Sequence, residues 1–282
     1  MDELTRRGVR AAVAVAGSLG LRASDPVVLR DVSNLLVHLR PAPVVARVAT
    51  STALARVDVA EHFRRAVDVT AYLAGRGVPV VGPPDEVPAG PFTHDGMVVS
   101  FAEWVAHDPT WVPTDFAPRL ADLHAELRSY PGPLPDRGPL ADIDAARAGW
   151  TRPADQLDSF TAVRDALVER WPADEVQPLH GDAHPGNLLM TANGPVWNDF
   201  EDTWRGPVTW DLACLALTGR LDGMAAASGY PVPRGGLAFP LRLRRLHAAG
   251  WLTVLERRFP EYRDAADEQL EAALVPPVDR PH

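Results

Sequence analysis

The segment Leu179-His180-Gly181-Asp182-Ala183-His184-Pro185-Gly186-Asn187-Leu188 constrains the fold of this 282-residue chain more than any other. Gly181, Pro185 and Gly186 interrupt any helix, and the apolar runs on either side read as short strands, so the segment folds as strand, loop, strand. The loop carries an Asp and an Asn five residues apart, and twelve residues further on Asp199 closes the next apolar run. Three oxygen-bearing side chains in this order suit phosphoryl transfer from a nucleotide. One carboxylate (Asp182) receives the proton of an attacking hydroxyl. An amide oxygen (Asn187) and a second carboxylate (Asp199) are the hard donors that Mg²⁺ takes beside phosphates.

His180, Gly181, Asp182 and Asn187 spell His-Gly-Asp-x-x-x-x-Asn, and a strand follows that ends in Asp199. Asp211 comes next in Gly206-Pro207-Val208-Thr209-Trp210-Asp211. These motifs resemble those of the aminoglycoside phosphotransferase family, which includes choline-kinase-like and other small-molecule kinases. The resemblance is sharp from His180 to Asp211 and rests on pattern alone in the amino-terminal half. It implies an α+β, bilobal, protein-kinase-like fold with a small β-rich amino-terminal lobe and a larger helical carboxy-terminal lobe. It also implies ATP or GTP as donor, Mg²⁺, and a small-molecule hydroxyl acceptor.

The element pattern agrees with that architecture. Residues 4–18 read as a helix, and Val27–Leu39 and Val44–Ala49 as strands around Pro41-Ala42-Pro43. Asp58 is the N-cap of a helix ending at Gly75, with Phe63, Val67, Thr70 and Leu73 or Ala74 as its apolar stripe. Val78–Val81 reads as a short strand. Asp95-Gly96 is a hairpin turn between Phe92–His94 and Met97–Phe101. Residues 1–101 therefore form a nucleotide-binding lobe and 102–113, with Pro109 and Pro113, a connector. Residues 114–282 form a catalytic and acceptor-binding lobe with helices near 115–129, 139–148, 155–171, 208–219, 240–258 and 260–274. The proline-rich tail, 276–282, reads as frayed.

Further site residues follow from position. Arg47, on the third strand, stands where protein kinases place a Lys that neutralises donor phosphates. The acid that pairs with such a cation is sought at position 66, which is Ala; Glu61 and Asp68 fall on another face of that helix. The pair is therefore expected to be missing or displaced. Ser33 and Asn34 sit in the turn expected over the phosphates, which lacks glycine, and offer hydroxyl, amide and backbone N–H groups. Phe101, Ala102 and Glu103 offer backbone groups to a purine. Glu201 reads as a second-metal or substrate ligand or as a solvated charge. His184 and Trp204 read as substrate contacts or as structural residues. His180 and Asp211 are structural support, Asp211 bracing the backbone of the motif loop.

The net charge of −9 argues against a nucleic-acid partner, whose footprint is a basic stripe. It fits a cationic acceptor or solubility alone; Asp222, Glu256 and Glu261 are the acids available to such an acceptor. No apolar run reaches the ~20 residues of a membrane span. Arg6-Arg7 precedes a short, Gly-broken apolar run, which reads as an amphipathic helix rather than an export signal. The single cysteine, Cys214, excludes an intrachain disulfide and suits the cytoplasm. No segment of activation-loop length separates Phe200 from Gly206, which argues against a protein substrate. Two other readings compete: a catalytically silent nucleotide-binding relative, and a metallohydrolase using His180, Asp182 and His184.

Overall fold

The computed structural model describes residues 1–231 and 236–275. The expected tail at 276–282 lies outside the described residues. In chain order the first elements are α1 (Glu3–Ser18), β1 (Asp25–Asp31), β2 (Asn34–Arg40), β3 (Val44–Ala49), α2 (Thr52–Ala55), α3 (Val59–Gly75), β4 (Phe92–His94) and β5 (Met97–Glu103). There follow α4 (Phe116–Leu127), α5 (Gly138–Ala148), α6 (Ala154–Glu169), β6 (Gln177–Pro178), β7 (Leu188–Thr191), β8 (Gly194–Trp197) and β9 (Arg205–Gly206). The last are α7 (Thr209–Ala216), α8 (Gly223–Ser228), α9 (Ala238–Leu255) and α10 (Arg263–Leu274). An antiparallel sheet in the amino-terminal region and a helical carboxy-terminal part make the mixed α+β class that the pattern predicts. The chain divides into two compact units. The first comprises Met1–Trp111, Tyr130–Gly132 and Gly186–Asp202; the second comprises Val112–Ser129, Pro133–Pro185 and the chain from Thr203 onward.

The first unit is built on a five-stranded antiparallel sheet in the order β1-β2-β3-β5-β4. Side chains alternate across a strand, so Leu35, Val37 and Leu39 of β2 and Val44, Ala46 and Val48 of β3 share one face. They are fully buried there against Ala11, Ala12, Val15 and Ala16 of α1. The alternation sends Val45 and Arg47 to the opposite face. Helix α1 starts at Asp2, whose side chain accepts the Thr5 N–H at 2.7 Å. It approaches the sheet so closely that a Cβ at Gly8 would stand 2.5 Å from Leu35 Cδ2. Asp95 and Gly96 turn the β4–β5 hairpin with φ of 49° and 71°, the left-handed pair that matches strand twist.

Two expectations need correction. Val78–Val81 is not a strand. Only Val80 bridges, to Trp197, because Pro79 lacks an N–H and Pro83-Pro84 follows at once. The strand expected to end at Phe101 runs two residues further: β5 continues through Ala102 and Glu103, which pair with Val45 and Val44.

In the second unit α9 packs against α5, α6, α7 and α10. Its Leu243, Leu246 and Ala249 meet Ile143, Phe160, Trp204, Trp210 and Leu270 in a single core. Cys214 is a buried member of it. Among the described residues no helix is long and apolar enough to cross a membrane.

Candidate functional site

In the first unit, Arg47 leaves β3 on the face away from α1 and meets two acids. Its Nη1 donates to Asp199 Oδ1 at 2.6 Å and to Glu201 Oε2 at 2.7 Å. The cation therefore has its partners, and they come from the segment after β8 rather than from α3. Ala66, Val67 and Thr70 of α3 instead supply a pocket wall. Glu201 is 5% exposed. It also accepts from Asn34 Nδ2 at 2.8 Å and from Arg56 Nη1 at 3.2 Å, while Arg65 Nη2 donates to its backbone oxygen at 3.0 Å. Arg56 pairs with Asp202 as well.

Burial pushes the Glu201 carboxyl up to about 7: Arg47 and Arg56 pull it down, but burial and the neighbouring Asp199 and Asp202 outweigh them. Burial works in the other direction on Arg47, yet the Asp199 and Glu201 carboxylates hold it above the usual arginine range. Asp199 adopts φ of 66°, a left-handed conformation that Asp tolerates better than most residues.

Hairpin β7–β8 brings the Asn187 backbone beside that of Asn198, the residue before Asp199. Leu188 pairs with Trp197 at its open end, and the Asn198 N–H donates to the Asn187 carbonyl at 2.9 Å. Asn187 is 6% exposed, while the Asp199 side chain is 35% exposed.

Beside Arg47 and Asp199 lies a pocket of about 150 Å³. Leu36, Val45, Val67, Val81, Leu189 and Phe200 are among its apolar walls, and β5 gives it Ser100, Phe101, Ala102 and Glu103. The strand edge there is well fixed: the Phe101 N–H donates to Ala89 O at 2.8 Å, and Glu103 closes a loop with Gly82 through N–H···O bonds of 3.0 and 2.9 Å. An apolar slot with backbone polar groups along one side and a cation–carboxylate pair in its wall suits a flat heterocycle carrying phosphates. Of the proposed residues it gathers Arg47, Phe101, Ala102, Glu103 and Asp199. Ser33 and Asn34 are not in its lining: the Ser33 carbonyl accepts the Thr52 N–H at 2.8 Å, and Asn34 turns to Glu201.

In the second unit, the backbone around Asp182 is held by α7. Asp211 accepts the His180 and Gly181 N–H groups, each at 2.9 Å, and Trp210 Nε1 donates to Gly181 O at 2.7 Å. Gly181 needs its φ of 92°, which a side chain would strain. The His124 ring links Asp211, 2.9 Å from its Nε2, to the Tyr230 hydroxyl, 2.8 Å from its Nδ1. Burial, with the Asp211 charge, pushes Tyr230 up to about 12.

Asp182 Oδ1 accepts from Arg244 Nη2 at 2.5 Å, and His184 Nε2 lies 3.4 Å from Oδ2. Burial alone would raise this carboxyl; Arg244, His184 and His180 overcome it and hold the group well below the usual carboxylate range. The Arg244 guanidinium also lies 5.8 Å from the Trp210 ring and 3.2 Å from His247 Nδ1. Arg244 sits 62 residues from Asp182, and no local motif marks it. The Arg244–His247 spacing of three, on one helical face, is the single sequence hint. Arg56 and Arg65 were equally unmarked, although Arg65 stands out on an otherwise apolar buried stripe of α3.

Trp204 is 2% exposed, its ring edge-on to Trp171 and Trp210 in the core. His180 is fully buried, with Nδ1 3.3 Å from the Asp182 N–H. Among the described residues no group of three or more His, Cys, Asp or Glu side chains is arranged to hold a metal, so the geometry does not favour the hydrolase reading of His180, Asp182 and His184. Asp222 caps α8, and Glu256 pairs with Arg152 at 3.0 Å. Both of these acids are already used within the fold.

Comparison with known proteins is consistent with this geometry. The model of the phosphotransferase enzyme family (APH) matches residues 27–239. An N-acetylmuramate/N-acetylglucosamine kinase of Pseudomonas putida is 36% identical over 77 residues, 27% of this chain and 20% of that protein. The match thus spans about a fifth of the curated relative's length. An amicoumacin kinase solved with AMP-PNP and Ca²⁺ superposes with a TM-score of 0.70 at 12% identity, covering 97% of this chain and 96% of that one. A choline kinase from Streptococcus pneumoniae gives 0.61 at 17% identity, covering 93% and 96%. A microcompartment-associated aminopropanol kinase gives 0.61 at 19% identity, covering 93% and 94%. At these identities the likeness establishes a shared fold.

Proposed function

Because this chain belongs to the phosphotransferase enzyme family, we propose that it moves the γ-phosphoryl group of ATP or GTP to a hydroxyl of a small molecule. The acceptor oxygen forms a bond to the γ-phosphorus, the bond from that phosphorus to its bridging oxygen breaks, and the nucleoside diphosphate leaves. The hydroxyl proton passes to Asp182. A carboxyl held below its usual range is a weak base, so Asp182 acts first by orienting the hydroxyl and accepts the proton late, as a loose transition state allows.

The observation that carries this reading is the pocket of the first unit, where apolar walls, the edge of β5, Arg47 and Asp199 meet. The apolar slot lined by Phe101, Ala102 and Glu103 takes the purine, and Arg47 neutralises phosphate charge. Asn187 and Asp199 would hold Mg²⁺, which supplies further charge neutralisation at the phosphates. Both are hard oxygen donors, and hairpin β7–β8 joins their segments through the Asn198–Asn187 backbone bond of 2.9 Å. The similar proteins are named as kinases of choline, aminopropanol, amicoumacin or amino sugars, which supports a small hydroxyl-bearing acceptor.

The test is ADP or GDP release against a panel of aminoglycosides, sugars and amino alcohols, with Mg²⁺ titrated. Asp199→Ala is expected to remove Mg²⁺ dependence and most activity together. Titration curves that overlay those of the parent would remove Asp199 from the ligand set. Nucleotide binding with no turnover on any acceptor would favour the silent relative.

A further inference from the structure

The pair Asp182–Arg244 is built differently from a plain catalytic carboxylate. Its side chains are 21% and 19% exposed, so solvent and small ligands reach both. His184, 31% exposed, flanks the same carboxylate. On the second unit the approach to Asp182 therefore presents one carboxylate beside one fixed guanidinium and an imidazole. The nearby acids Asp142 and Asp211 do not offset this. Asp142 is 7% exposed and takes His247 Nε2 at 3.2 Å and Trp251 Nε1 at 3.0 Å. Asp211 is fully buried and holds backbone N–H groups.

We propose, building on the phosphotransferase reading above, that the acceptor is a small hydroxy acid whose hydroxyl meets Asp182 while its carboxylate meets Arg244. The complementarity is one of chemistry. A hydroxyl donates where Asp182 accepts, and a carboxylate accepts where the planar guanidinium fork donates. A monoanion suffices for one arginine. A cationic acceptor meets the opposite situation, since the Arg244 guanidinium beside Asp182 repels it and Asp222 and Glu256 are committed elsewhere in the fold. Arg244 is rigid enough to select, because the Trp210 ring and His247 fix its orientation.

The test uses glucose, glucuronate and glucosamine, which share a ring and most of their hydroxyls and differ in charge. Each is titrated calorimetrically against the full chain with Mg²⁺ and AMP-PNP. The parent is expected to bind glucuronate about tenfold or more tightly than the other two, the scale of a hydrogen bond to a charged group. Arg244→Gln is expected to weaken glucuronate about tenfold more than glucose or glucosamine and so erase the preference, and Arg244→Lys to keep part of it. Glucuronate binding no tighter than glucose in the parent overturns the inference. So does an Arg244→Gln variant that weakens all three alike, the signature of a residue that only positions Asp182. Mg²⁺-dependent affinity for AMP-PNP, measured in the same samples, reports on the phosphotransferase reading separately.

Discussion

Each unit of this chain sets a carboxylate against arginine, and the two assemblies are opposites in construction. In the first unit Arg47, Arg56 and Arg65 converge on the Asp199–Asp202 segment, and Glu201 at their centre is 5% exposed. In the second unit Asp182 has Arg244, with both side chains about one-fifth exposed. The buried network takes its charges out of water, so each group depends on the others for compensation. The Asp182–Arg244 pair is partly buried and keeps some of its hydration, so a ligand remakes it at lower cost. The opposite pKa directions follow: burial wins at Glu201, which rises to about 7, and the arginine wins at Asp182, which falls. One assembly is suited to holding a fixed geometry and the other to exchanging partners.

The comparison breaks first at Arg47. Its loss in Arg47→Ala leaves Asp199 and Glu201 facing each other without their shared cation, and a broken buried pair costs about 3–5 kcal/mol. Urea unfolding should show that loss; a change below ~1 kcal/mol would mean the network is solvated and the contrast false. A smaller effect belongs to Glu201. Its folded pKa of about 7 lies above the ordinary 4.5, so the folded state binds the proton more tightly. The group's contribution is then greatest below pH ~4.5 and is lost as pH rises through about 7, by an amount on the order of 1–3 kcal/mol. Glu201→Gln should flatten the fall in unfolding free energy across that window, and an unchanged slope would assign the titration to another group. Smallest is Arg244→Gln, expected to change stability by no more than about 1 kcal/mol because its pair is partly solvated. A loss as large as that of Arg47→Ala would put both assemblies in one class.

Local chemistry made much of this legible in the sequence. Asp58 caps α3 and accepts the Glu61 N–H at 3.2 Å, and Asp95-Gly96 turns its hairpin; of the expected α3 stripe Phe63 and Leu73 are buried, whereas Val67 and Thr70 line the pocket. What stayed hidden was set by distance along the chain. Arg47 finds Asp199 and Glu201 across 152 and 154 residues, and Arg244 finds Asp182 across 62. No periodicity encodes such pairings. The helix acid sought at Ala66 was a reasonable expectation from local position, but the cation found its acids on the chain after β8. Helix α8, six residues with a Gly-Met-Ala start, is too short for a stripe to declare it.

The most direct measurement is the turnover of Asp182→Asn on an acceptor that the parent phosphorylates. Asn keeps the shape and most of the hydrogen bonding but cannot take the proton. The account predicts a fall in kcat of roughly 10²–10⁴, the scale of a general base, with nucleotide affinity unchanged because Asp182 does not line the pocket proposed for the nucleotide. Turnover equal to the parent's would contradict it.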